Sequence, residues 1–263
     1  NYVTENYGSQ AGSIFIWEIY NSIFRNLTVI NSNASMQGGA MYIGRSVNAI
    51  IEDSRFINNT VYGDESNPDI QSLGGAIYID WAMITLIRNT TFEDNNADMG
   101  AAVYFMTGAN DEYSLNNTEI DSTFIRNNAS GAGAAIFMSG MDGANFTVIC
   151  SRFINNTAGA GAGAIGVVNS KYTVIKGSEF INNNEYLNNS IGGAIVLMEM
   201  SDFALMDNNT FVNNSADLGG ALILNDTGFV NITNSKFEFN KAVYGSAVYL
   251  IMDDNIIFKG NII

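Results

Sequence analysis

Read from its first residue, the chain keeps returning to one short motif. Gly-Gly-Ala-Ile-Tyr-Ile at Gly74–Ile79 reappears with small changes around Ala40, Ala102, Ala135, Ala164, Ala194, Ala221 and Ala247, and more faintly around Ser13. Successive Ala positions lie 27, 36, 26, 33, 29, 30, 27 and 26 residues apart. A second motif, Ser-x-Phe-x-x-Asn, has its Phe position at Val29, Phe56, Phe92, Phe124, Phe153, Phe180, Phe211 and Phe237. From the Ala position to the next Phe position the distance is 16 residues in five of eight intervals, so excess length is confined to a few places. Fixed girth with occasional insertions describes stacked coils, none of which buries a core alone.

The columns across repeats show where side chains point. One residue after the Ala position stand Ile14, Met41, Ile77, Val103, Ile136, Ile165, Ile195, Leu222 and Val248. Three after it stand Ile16, Ile43, Ile79, Phe105, Met138, Val167, Leu197, Leu224 and Leu250. Both columns are wholly apolar and alternate with a different set, which is the period of a strand facing inward on one side. The Phe column is a third inward set. A fourth lies five residues before it, at Phe24, Ile51, Ile87, Val148, Ile175, Met206 and Ile232, with Glu119 out of character.

Three residues after the Phe position come Asn59, Asn95, Asn127, Asn156, Asn183, Asn214 and Asn240, and three before it Asn26, Asp53, Asn89, Asp121, Cys150, Gly177, Asn208 and Asn234. Asn, Asp and Gly tolerate the left-handed backbone of a sharp corner, and the glycine pair before Ala relieves another. Stacked asparagines also pass amide hydrogen bonds between coils. The fold expected is a single all-β domain over 1–263, a right-handed parallel β-helix of about nine coils with three strands each. At about 4.8 Å per coil the rod is roughly 43 Å long.

The paired motifs Phe56-Ile57-Asn58-Asn59 and Gly74-Gly75-Ala76-Ile77, repeated at Phe211–Asn214 and Gly219–Leu222, carry a resemblance. They resemble the repeats of chlamydial polymorphic outer-membrane proteins and are similar to those of archaeal adhesin-like β-helix proteins. The resemblance implies surface display and adhesion.

Composition narrows the function. With 11 Lys+Arg against 26 Asp+Glu the chain carries −15, a field that repels phosphate backbones and anionic membrane surfaces. The one cysteine, Cys150, excludes an internal disulfide, and no histidine is present to partner it as a nucleophile. No apolar run reaches membrane-spanning length. Polysaccharide lyases and hydrolases share this fold, and they need carboxylates clustered on one face. Here Asp80, Asp94, Asp98, Glu199, Asp202, Asp226 and Asp253 are scattered, and Arg45, Arg88 and Lys176 occupy different columns. The insertion with Asp64, Glu65 and Asp69 is a weak calcium candidate, as is that of Asp111, Glu112, Glu119 and Asp121. Solvated acidic loops explain both more simply. The reading is a structural or adhesive protein without cofactor or catalytic site, a carbohydrate-active enzyme or its inactive glycan-binding relative being the rival.

Two features are candidates for contact with partners. The outward column two residues after the Ala position reads Phe15, Tyr42, Tyr78, Tyr104, Phe137, then Gly166, Val196, Ile223 and Tyr249. Five aromatics in consecutive coils predict an exposed stripe for a glycan, a surface-protein ligand or lateral self-association, against a plain role in stabilising the sheet. Thirteen Asn-x-Ser/Thr sequons occur, about twice what the composition gives by chance; Asn26, Asn89, Asn116, Asn145, Asn188, Asn208, Asn225 and Asn231 are the candidate glycan acceptors. Finally, Val3 and Ile263 fall on the Phe position, so the chain opens and closes at one phase of the coil. That predicts a rod continuing past both ends, either by head-to-tail association into a filament or as one stretch of a longer β-helix, in an extracellular or cell-surface setting.

Overall fold

The computed structural model describes residues 1–63, 71–106, 117–140 and 145–263. Every strand pair among these residues is parallel, and they form three sheets of 16, 7 and 9 strands. No helix occurs among them, and so none long and apolar enough to cross a membrane. The nine-stranded sheet runs from Ile14–Trp17 to Val248–Ile251, one strand per coil, in the register the repeats predict: Ile77 pairs with Met41 below and Val103 above. The result is a parallel β-solenoid of about nine turns.

The inward columns meet in one continuous core. Ile77, Ile79 and Phe92 are buried as expected. From Phe56 to Phe237 the Phe column stacks face to face, with centroids 4.8–5.3 Å apart. Offset or parallel pairs of this kind add about 0.5–1.5 kcal/mol each beyond the area they bury. The Glu119 anomaly resolves as a change of length: Ile120, not Glu119, pairs with Ile87, because the coil holding it is one residue shorter at the corner between Arg88 and Thr91. Glu119 points out to solvent.

The corners need one correction. The left-handed residue after the Phe position is two residues on, not three: Asn31, Asn58, Asn155, Asn182 and Asn213 have φ of 51–55°. The third residue instead turns inward as a ladder. Asn59, Asn95, Asn127, Asn156, Asn183 and Asn214 are buried, and each donates its Nδ2 to the Oδ1 of the next. Before the Phe position the corner lies where expected at Asn26, Asp53, Asn89, Cys150, Gly177, Asn208 and Asn234, which are left-handed, but not at Asp121, which lies inside the strand Asn117–Ile125 and pairs with Arg88. At the third corner Gly74 has φ +68°, and a Cβ on Gly75 would stand 2.3 Å from the Ala101 carbonyl oxygen. The first glycine supplies the backbone angle and the second lets two coils touch.

Candidate functional site

The stripe forms as a ladder. Phe15, Tyr42, Tyr78, Tyr104 and Phe137 stack with neighbouring centroids 4.9, 5.3, 5.4 and 5.5 Å apart. It points away from the main core and makes a separate cluster with Ala11 and Leu73. The expectation of an exposed track is overturned, however: only Phe15 is open, at 53% of its surface, while Tyr42, Tyr78, Tyr104 and Phe137 are buried. Each ring covers its neighbour's face, and Leu73, Met99, Met106 and Ala132 pack against the cluster from the side. The Tyr42 hydroxyl donates to Asp80 Oδ2 at 2.8 Å. Burial, helped at Tyr42 and Tyr78 by Asp80, raises these phenols well above their ordinary pKa, as burial does at Tyr104. Apart from Phe15, no rung of this ladder offers a flat ring face to a sugar.

A second ladder, which the sequence reading missed, is open. Tyr172, Phe203 and Phe229 stack with centroids 5.4 and 5.0 Å apart and keep 49, 43 and 50% of their surface exposed. All three have left-handed backbones, with φ of 62, 58 and 57°. For an aromatic residue that conformation costs roughly 1–2 kcal/mol, and strain of this kind gathers at functional sites. The same column, eight residues before the Phe position, carries Asn21 and Asn48 in the first coils, both left-handed and joined by an amide hydrogen bond of 2.9 Å. The aromatics thus replace a residue type suited to the corner. Counting from the Phe position aligns all three; counting from the Ala position aligns Tyr172 and Phe229 but displaces Phe203 by a one-residue insertion.

Glu185 is the third feature. It stands five residues after the Phe position, in a column otherwise filled by Ala34, Val61, Ala97, Ala129, Ala158, Ala216 and Ala242. Its strand pairs Glu185 with Ala158, and most of that column is a small buried apolar cluster. Both carboxyl oxygens are buried without a hydrogen-bond partner. The nearby amides of Ala162 and Ile191 already donate to the carbonyls of Ile191 and Ala160. Burial therefore prevails over the pull of Ser190 and these amides and pushes Glu185 up to about 8. Beside it lies a polar recess of about 400 Å³ lined by Ser190, Ser215, Asp217 and Lys241.

The other candidates are dispersed. Asn26, Asn89, Asn188 and Asn208 are exposed, three of them at left-handed corners. Asn145, Asn225 and Asn231 are half-buried in strands, and the Asn225 Oδ1 is buried without a partner. Asn116, Asp64, Glu65, Asp69, Asp111 and Glu112 lie outside the described residues. Among the described residues no three His, Cys, Asp or Glu side chains gather in a way that could hold a metal ion.

Comparison with known proteins agrees with the architecture. A family model described as "Right handed beta helix region" matches residues 66–263, more than half of the chain. The metabotropic glutamate receptor-like protein R of Dictyostelium discoideum is 30% identical over 106 residues, which is 40% of this chain and 6% of that protein. The chain thus spans a small part of the relative it matches. No solved structure matches the chain.

Proposed function

The chain belongs to the right-handed β-helix family, and we propose that within it this protein is an extracellular or cell-surface scaffold that holds a partner protein through Tyr172, Phe203 and Phe229. The observation that carries the reading is an exposed aromatic ladder kept in three successive strained corners where asparagine fits without strain. Because the rings face one another, they offer edges to solvent. An apolar strip of edges suits the side chains of a protein better than the face of a sugar ring. A charge of −15 favours a basic partner over a second copy of the chain. The likeness of the repeats to adhesin-like proteins and the receptor-like name of the Dictyostelium relative support surface display. In this reading the exposed asparagines Asn26, Asn89, Asn188 and Asn208 carry glycans.

The test is the triple variant Tyr172→Asn, Phe203→Asn, Phe229→Asn, which restores the residue found earlier in the column. Its thermal midpoint should equal or exceed that of the wild type, while adhesion of protein-coated beads to cells of the source organism falls at least tenfold. Unchanged adhesion by a folded variant overturns the proposal.

The family includes enzymes such as pectate lyases and glycosidases as well as non-enzymes, and one observation favours a carbohydrate-active reading: Glu185 with its raised pKa beside a polar recess containing Asp217. Against it, both Glu185 oxygens are sealed from solvent and cannot touch a substrate as they stand. Polysaccharide cleavage that disappears in Glu185→Gln would establish this second reading.

A further inference from the structure

The buried aromatic ladder stops at one coil. After Phe137 the outward column holds Gly166, and the rings do not resume in the next coil, where Val196 stands. The column beside it loses its side chain in the same coil. There the bridged positions run Leu73, Met99, Ala132, Gly161, Ile191 and Leu218, so Gly161 interrupts a row of larger apolar residues. The two glycines together leave a recess of about 220 Å³ between Phe137 and Val196. Its walls expose almost nothing polar, and Gly161, Ala162, Gly166, Phe137 and Val196 are all buried. It is therefore a slot with depth and not a flat face.

The backbone does not demand this gap at Gly161. Neither Gly161 nor Gly166 has a left-handed φ. A Cβ on Gly161 would meet Ile191 at an ordinary 3.5 Å, whereas one on Gly166 would stand 2.9 Å from Phe137 Cδ2, so the Phe137 ring already leans over Gly166 and the free room lies over Gly161. The room is thus available to a side chain that the chain does not supply. An apolar cavity of about 150 Å³ is enough to take up a benzene ring. Four preceding steps of the ladder set ring against ring at 4.9–5.5 Å, and Phe137 is its last rung. Met99 and Met198 line the opening, and thioether sulfurs make favourable contacts with ring edges.

The geometry points to a binding site in which one planar aromatic ring of a small ligand extends the ladder, packed between Phe137 and Val196 over Gly161, where no side chain stands. This site is independent of the exposed ladder at Tyr172 and extends beyond the scaffold role. The ligand class is an aryl compound with an apolar ring; any polar substituent would point out of the slot, since the walls hold no partner for it.

Toluene is the probe, with methylcyclohexane as a partner of similar size and no flat face. Ligand-observed NMR on the intact protein should show saturable toluene binding, at least tenfold tighter than that of methylcyclohexane. Gly161→Met, which restores the residue type of Met99, should weaken toluene binding at least tenfold while raising the thermal midpoint. Absence of toluene binding overturns the site, and methylcyclohexane binding within threefold of toluene overturns the stacking. A folded Gly161→Met that binds toluene as the wild type does places the ring elsewhere and overturns it equally. The comparison of the two ligands needs no variant, so it decides even where the substitution impairs folding.

Discussion

Replacing Asn156 by Ala probes the asparagine ladder at its middle rung. The Asn156 Oδ1 accepts from the backbone N–H and the Nδ2 of Asn127, at 3.0 and 2.9 Å. Its own Nδ2 donates to the Phe124 carbonyl and to Asn183 Oδ1, at 3.1 and 3.0 Å. Truncation removes all four bonds, but the damage is unequal. Asn183 Oδ1 still accepts from the Asn156 backbone N–H, and Asn127 Nδ2 still donates to Phe92 O. The Asn127 N–H and the second Asn127 amide hydrogen are left without an acceptor, in a place where Asn127 and Asn156 are wholly buried. Each stranded donor costs roughly 1–3 kcal/mol, so the expected loss is about 2–6 kcal/mol. The adjacent Asn155 is exposed and left-handed, and Asn155→Gly should change stability by less than about 0.5 kcal/mol. Urea unfolding measures the loss, and because solenoids can unfold in segments it is read together with a local probe. Hydrogen exchange gives the local reading: protection of the Asn127 amide should collapse, while the Asn183 amide, bonded to Asn214 Oδ1 at 2.9 Å, keeps most of its own. A loss under about 1 kcal/mol, or equal protection at Asn127, would refute the view that the ladder is a chain of obligatory bonds.

Two further outcomes follow from the site. Glu185 has its folded pKa raised to about 8, so the group is neutral in both states below about pH 4.3, ionises first in the unfolded chain as pH rises, and withdraws stability progressively until about pH 8. Glu185→Ala, which restores the column's alanine, should therefore be more stable than wild type by roughly 3–5 kcal/mol at pH 8 and by much less at pH 4; a pH-independent difference counts against a buried, unpaired carboxyl. Peptide mapping of protein from its native source should find glycans at Asn26, Asn89, Asn188 and Asn208 in preference to Asn145, Asn225 and Asn231, which are half-buried in strands; occupancy mainly at the strand sites would contradict the register.

The repeats made the fold legible because every coil is bound to its neighbours by the same columns. Where Ile77 lies over Met41, the apolar alternation leaves no second register, since a slip of one residue would expose the whole row. Legibility failed where adjacent residues share a chemistry. Asn58 and Asn59 are both asparagine, and composition does not say which takes the left-handed corner and which joins the ladder. Exposure was also out of reach for Tyr42, Tyr78 and Tyr104. Alternation correctly directs them away from the main core, yet the residues that cover them, Leu73 and Met99, come from a neighbouring corner column, joined to each other by an isolated bridge and onward to Ala132 across a register shift.

Glu185 and the exposed ladder were missed for a different reason, because each column is interrupted when it is aligned on the Ala position and is unbroken through its departures when it is aligned on the Phe position. Set five residues after that position, Glu185 is the one acid among alanines and a valine; set eight before it, Tyr172, Phe203 and Phe229 replace the asparagines of earlier coils. In each case the departure runs against stability, by burying a carboxyl without a partner or by forcing an aromatic residue into a left-handed corner. The core columns show no such departures over seven successive Phe side chains from Phe56 to Phe237. A solenoid that keeps its core so regular has little structural need for either exception. Single left-handed aromatics occur elsewhere, at Trp81 and Phe239, but only Tyr172, Phe203 and Phe229 among the described residues stack them in successive coils, and the ladder takes precedence over Glu185 because its rings reach solvent while the oxygens of Glu185 do not.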